Sequence, residues 1–160
     1  MTEIGTFIFS PLRWRDAFTI AGWRYPGEYK FYDIGLVSLL SALVAEKLLG
    51  VINVLKYYAV FDTQGKIMGI FTFTRFGKTV ELGLGMRPDL MGHGVGLAFI
   101  RAGMDYAQEL FHPQTYKLEV ATFNKRAIKV YERAGFVRKR TYMKQTEHGR
   151  VEHFEMTRPA

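Results

Sequence analysis

The stretch "MRPDLMGHGVGLAF", Met86 to Phe99, places glycines at 92, 94 and 96 between a segment with strand-like alternation and one with helical period. A strand, a glycine-rich turn and a helix in that order hold an anion with backbone alone. The first helical turn carries N–H groups without partners inside the helix, and the aligned peptide dipoles add about half a positive charge there. Glycine lets a diphosphate approach the backbone closely and gives the turn dihedrals closed to other residues. Two nucleotide patterns fail on the residues present. The dinucleotide pattern G-x-G-x-x-G needs glycine where Leu97 or Phe99 stands, and the NTPase phosphate loop needs a G-K-[ST] that does not follow.

The elements that must position this turn follow from the period of the apolar residues. Phe7 and Phe9 alternate within a first strand over Thr6 to Ser10, and a helix follows near Trp14 to Trp23. "WRYPGEYKFYD", Trp23 to Asp33, reads as an aromatic-rich loop around a Pro-Gly turn, and a second helix covers Val37 to Leu49. From Tyr57 the period becomes two. Strands at Tyr57 to Phe61, Lys66 to Thr74 and Thr79 to Met86 form an antiparallel meander, with Gly83 and Gly85 interrupting the last as at a bulge. A helix from about Val95 to Leu110 follows, stopped by His112-Pro113, and a further meander-like strand covers Lys117 to Ala121. A short helix, Lys125 to Ala134, ends at Gly135, and the tail from Val137 to Met156 reads as two strands about a turn at Thr146 to Gly149. The expectation is one domain over residues 1–160 of the α+β (mixed α/β) class.

Composition narrows the partners. Apolar residues at 48% and charged residues at 23% describe a chain that folds. There is no cysteine, which removes a thiol nucleophile, disulfides and cysteine-ligated zinc. His93, His112, His148 and His153 lack metal-ligand spacing, so no metal is expected. Lys and Arg total 22 against 15 Asp and Glu, a formal charge of +7, which favours an anionic partner. No zinc-finger pattern, RNP-type aromatic motif or Lys/Arg block is present, so no nucleic acid is expected. The first residues lack a basic segment and apolar run. The longest apolar stretch, Ile34 to Ala45, stops short of the roughly 20 residues that span a bilayer, so the expectation is no membrane and a cytoplasmic location.

The glycine stretch resembles motif A of the GNAT superfamily of acyl-CoA-dependent N-acetyltransferases, [QR]-x-x-G-x-[GA], laid on Met91-Gly92-His93-Gly94-Val95-Gly96. Met86-x-Pro88 matches that superfamily's apolar-x-Pro strand end. The match departs at its first position, where Met91 replaces Arg or Gln. "LEVATFNKRAIKVYERAGF", Leu118 to Phe136, resembles motif B, with Asn124, Ala127, Tyr131 and Gly135-Phe136 in place. It is especially similar to the bacterial enzymes that acetylate the N-terminal alanine of a ribosomal protein. The resemblance implies a GNAT fold, with a mostly antiparallel sheet splayed at the cofactor cleft and flanked by helices. It also implies acetyl-CoA as cosubstrate, held by the strand end at Leu84, Gly85 and Met86, by Met91, Gly92, His93, Gly94, Val95 and Gly96, and by Asn124. Dimers are common in the superfamily, so a homodimer is an allowed state.

Acetyl transfer to an amine needs a neutral nucleophile, stabilisation of the thioester oxygen and a proton for the departing thiolate. An alkylammonium has a pKa of about 10.4 and an N-terminal amine about 7.7–8.0, so a base must take a proton near pH 7. Glu119 matches the acidic residue used as base in the similar ribosomal-protein enzymes, and Glu81 is the second candidate. The alternative for Glu119 is a pairing with a neighbouring Lys or Arg. Tyr131, two helical turns after Asn124, matches the general-acid position; a core tyrosine is the alternative. For the oxyanion, the resemblance implies a backbone N–H around Gly85 and Met86. Asn124 either bridges to the cofactor or caps its helix. Lys125, Arg126, Lys129 and Arg133 either meet the 3′-phosphate of coenzyme A or form a solvated helix face, and stay outside the site. Trp23, Tyr25, Tyr29, Phe31 and Tyr32 either line an acceptor cleft, with Glu28 or Asp33 drawing a cationic amine, or pack on the core. The expected activity is acetyl transfer to a primary amine by direct attack, the amine being a protein N-terminus, a polyamine or a small molecule. The alternatives are a catalytically silent acyl-CoA-binding domain and a basic nucleic-acid binder.

Overall fold

The computed structural model describes residues 1–4, 6–48 and 55–160. The described residues form eight strands in one sheet: β1 Thr2–Ile4, β2 Phe7–Pro11, β3 Leu55–Phe61, β4 Ile67–Phe76, β5 Thr79–Met86, β6 Thr115–Ala121, β7 Val137–Thr146 and β8 Gly149–Pro159. Helices α1 Trp14–Ala21, α2 Leu36–Leu48, α3 Gly96–Phe111 and α4 Lys125–Arg133 flank it. The strand order is β1-β2-β3-β4-β5-β6-β8-β7, antiparallel throughout except between β5 and β6.

The amino-terminal half of the sheet is covered on both faces, which is why β4 reads as nearly continuous apolar sequence. Phe9, Phe71, Phe73, Phe99 and Tyr106 fill the face against α3, with the Phe9 and Tyr106 rings stacked at 4.4 Å. Leu12, Ala17, Ile20, Leu39 and Leu43 bring α1 and α2 onto the opposite face, over Ala59 and Ile70. An added Cβ at Gly103 would stand 2.3 Å from the Phe71 ring, so α3 lies directly on β4. That contact sets where the start of α3 points. Beyond β5 the face opposite α3 carries charged side chains instead of a helix, because β6 alternates buried Tyr116, Leu118 and Val120 with Lys117 and Glu119.

The structure corrects several expectations. The strand at Lys117 to Ala121 does not extend the meander: a crossover through the 16-residue α3 returns it parallel to β5. Gly83 and Gly85 form no bulge, since the β4–β5 register runs unbroken from Phe76 opposite Thr79 to Gly69 opposite Met86. Glycine is needed at 83 because a Cβ would meet the Thr72 hydroxyl at 2.3 Å, while a Cβ at 85 would touch Ile70 and the Tyr25 hydroxyl. The Trp23 to Asp33 loop contains a 3₁₀ turn, Gly27–Tyr32, and the short β1 was not expected. The expected end of the second helix at Leu49 lies outside the described residues. Among the described residues no helix is long and apolar enough to cross a membrane.

The contact between α3 and β4 is testable. Gly103→Ala pushes a methyl into the buried Phe71 ring, and overpacking of this kind costs about 1–3 kcal/mol. Thermal unfolding should show Tm lowered by roughly 3–10 °C.

Candidate active site

Three residue pairs join β5 to β6: Thr79 with Thr115, Val80 with Tyr116 and Glu81 with Lys117. Beyond them the strands part, leaving the facing edges from Leu82 to Met86 and from Leu118 to Ala121 unpaired with each other. At about 3.3 Å per residue the opening is roughly 16 Å deep. The glycine turn sits at its rim, after a 3₁₀ turn at Pro88–Leu90. Gly92 has φ +83° and Gly94 φ +77°, and nothing lies within 4 Å of a Cβ built on either. Backbone conformation, not crowding, therefore requires glycine there. The first bond of α3 runs from the Phe99 N–H to the Val95 carbonyl at 3.0 Å, so the N–H groups of Gly96, Leu97 and Ala98 have no intrahelical partner. Val95 supplies no side-chain cap. His93 is exposed at the turn, whereas Leu84, Met86 and Val95 are half-buried against the core.

The aromatic loop straddles this opening. On one side the Tyr25 hydroxyl donates to the Met86 carbonyl at 2.8 Å. Burial, with a smaller contribution from Asp33, pushes its pKa up to about 12. The Asp33 carboxylate accepts the Tyr25 N–H at 2.8 Å and so serves the loop's own structure. On the other side Phe31 and Tyr32 pack on Phe123, 5.5 and 6.1 Å between ring centroids, and Phe31 also meets the His148 ring at 5.4 Å. The buried Tyr32 hydroxyl lies beside Asn124 and the Ala121 backbone without a hydrogen bond of good geometry, and burial raises its pKa. Tyr131, buried at 9% exposure, is its neighbour. Burial first, then Tyr32, pushes the Tyr131 pKa well above the ordinary phenol value. Both phenols therefore keep their protons throughout the neutral range. Asn124 caps α4, its Oδ1 accepting the Ala127 N–H at 3.2 Å.

The two carboxylates singled out in the sequence are both ion-paired on the polar face of the sheet. Glu81 meets Lys117 across the last β5–β6 rung at 2.9 Å. Lys117 also reaches Glu119 at 3.7 Å and Glu155 at 3.4 Å, and Arg140 meets Glu155 at 2.9 Å. Lys144 pairs with Glu119 from β7. Burial would raise the Glu119 pKa, but the Lys144 ammonium, then the neighbouring Tyr142 hydroxyl and Lys117, outweigh it and hold the carboxyl below its ordinary value. An alkylammonium is about six pKa units less acidic than an ordinary carboxylic acid, a gap of roughly 8 kcal/mol. Held in this way, Glu119 takes a proton from an alkylammonium poorly.

A cavity of about 300 Å³ opens between the aromatic loop and the β7–β8 turn, lined by Phe31, Tyr32, Asp33, Ser38, Glu147 and His148 among others. It shares Tyr32 with the phenol pair. A second cavity of about 320 Å³, around Arg101, Asp105, Gln108 and Arg158, contains none of the residues expected from the sequence. Among the described residues no group of three or more His, Asp or Glu is placed to hold a metal ion.

Residues 12–136 match the Acetyltransferase (GNAT) family. The chain belongs to this family. Its fold is that of spermidine N-acetyltransferase from Vibrio cholerae, solved in complex with CoA and spermine: TM-score 0.78 and 18% identity, over 98% of this chain and 96% of that one. A ribosomal-protein-S5-alanine acetyltransferase from Vibrio fischeri superposes with TM-score 0.71 and 18% identity, over 99% and 95% of the two chains. No curated protein matches the chain by sequence.

In this GNAT chain the strand end Leu84 to Met86, the turn Met91 to Gly96, Asn124 and Tyr131 gather around the splay, while Glu81 and Glu119 lie in the ion-pair network. In sequence Tyr32 stands only among the loop aromatics, and nothing marks Lys144, Glu147 or His148 as site residues. No local spacing connects these to Tyr131 or Glu119. The loop anchor gives a pH signature. The Tyr25 pKa is raised on folding, so its contribution is complete below about pH 10 and is lost as pH rises towards 12, on the order of 2–3 kcal/mol. Urea unfolding of the wild type and Tyr25→Phe between pH 8 and 12 should show the extra alkaline loss only in the wild type. At pH 8 the variant should be about 1 kcal/mol less stable for want of the Met86 bond.

Proposed function

We propose that this single GNAT domain transfers the acetyl group of acetyl-CoA to a primary amine by direct attack within a ternary complex. The observation that carries the reading is the splay of β5 from β6 with an uncapped α3 N-terminus and two left-handed glycines at its rim. The N–H groups of Gly96, Leu97 and Ala98, with the backbone of the turn, hold the diphosphate. Leu84, Gly85 and Met86 border the acyl-carrying arm on one side and Asn124 on the other, and a backbone N–H near Gly85 and Met86 stabilises the carbonyl oxygen. The attacking amine loses its proton to water beside Glu119, and Tyr131 gives a proton to the departing thiolate, whose own pKa near 8.5 rises as the cleft excludes water. Bound CoA in the spermidine enzyme supports the cofactor assignment.

The acceptor enters by the cavity that shares Tyr32, where Phe31 and Tyr32 supply aromatic walls and Glu147 a carboxylate. Glu81, Glu119 and Glu155 are balanced by Lys117, Lys144 and Arg140, so the network offers no net negative charge to a polycation. This supports an acceptor presenting one amine, such as a protein N-terminus or a small-molecule amine, over a polyamine. A homodimer is compatible with the reading.

Thermal unfolding with acetyl-CoA at about 100 times its Kd should raise stability by roughly 2.7 kcal/mol, or Tm by about 5–10 °C, with NAD as a silent control. No rise removes coenzyme A from the site. Tyr131→Phe should lower kcat by about 10²-fold or more with little change in acetyl-CoA affinity. Unchanged turnover would leave Tyr131 as a core residue.

A further inference from the structure

The glycine turn of this chain lacks the Arg or Gln that the motif it resembles carries at its first position. Met91 stands there, and a thioether offers an anion nothing. A guanidinium nevertheless stands at that spot. Arg126, in the first turn of α4, donates from Nη2 to the Met91 Sδ at 3.5 Å. One turn further along α4, Val130 lies 3.4 Å from a Cβ built on Gly96, so this face of α4 borders the start of α3. The Arg126 guanidinium also lies over the Tyr29 ring, 4.4 Å from its centroid, which fixes a long side chain on the aromatic loop. Of its five N–H donors one goes to the thioether, a weak acceptor, and Arg126 forms no ion pair among the described residues.

We infer that Arg126 holds the diphosphate of coenzyme A, supplying from α4 the polar contact that Met91 cannot make. The inference rests on acetyl-CoA being the cosubstrate. Guanidinium and diphosphate form bidentate, charge-assisted hydrogen bonds, and a side chain already pinned on a ring loses little freedom in making them. Tyr29 belongs to the same loop as Tyr25 and Tyr32, so the cation that grips the cosubstrate is seated on the element bordering the acceptor cavity.

Isothermal titration with three ligands tests the assignment: acetyl-CoA, its 3′-dephospho form, and S-acetylpantetheine, which lacks the diphosphate. Arg126→Gln should weaken both nucleotides about 10- to 100-fold and leave S-acetylpantetheine unchanged. The double variant Arg126→Gln/Met91→Arg should recover most of the loss. Arg126 is exposed, so both variants should melt with the wild type. A loss confined to acetyl-CoA would assign Arg126 to the 3′-phosphate and overturn the inference, as would unchanged binding of both nucleotides by the variant. A double variant that melts normally without recovery would remove the claim of replacement. Wild-type protein that binds no acetyl-CoA would overturn the proposed function itself, and the inference with it.

Discussion

The pairing of β5 with β6 ends at Glu81 and Lys117, and every part of the site depends on its ending there. β5 stays with β4 along its whole length, and β6 stays with β8. Each half of the sheet therefore keeps its own hydrogen bonds while the two edges facing the gap are left free. The Glu81–Lys117 ion pair closes the vertex of the gap. An antiparallel continuation would have filled the sheet and left no opening. The parallel return through α3 both creates the gap and delivers a helix start to its rim.

Charge on the polar face of the sheet sets the proton affinity of Glu119, the first candidate for the base. Three carboxylates and three cations are interleaved across β5, β6, β8 and β7, and Lys117 touches all three acids. Glu119 and Glu155, held this way below the ordinary carboxylate value, accept protons poorly. The buried phenols have the opposite property. Tyr131 and Tyr32 hold their protons firmly, so both hydroxyls stay protonated throughout the neutral range.

What the sequence made legible was local. Glycine spacing at 92, 94 and 96 marks a turn whose dihedrals are decided within a few residues, and the turn has the positive φ values this requires. Strand period and helix stops located β3, β4, β5, α3 and α4 to within a few residues. The bulge read at Gly83 and Gly85 fails because glycine in a strand has two causes, and Thr72, eleven residues earlier on the paired strand, decides between them. Glu119 and Lys144 are 25 residues apart on strands separated by β8, a relation no spacing rule reports. Tyr32 reaches Tyr131 only because the loop closes over the splay.

That closure also orders events in time. Tyr25 and Met86, which hold one side of the loop, are 61 residues apart, and Ser38 and Glu147, at the mouth of the cavity, are 109 apart. Contacts of such separation require loop-closure entropy to be spent before they give anything back, so they form late, after local helices and hairpins are in place. A folding intermediate of this chain with both sheet halves built but the loop undocked would have the glycine turn and no phenol pair. The phenol pair would then be complete only after the final docking step, and its assembly would time the end of folding more sharply than recovery of secondary structure.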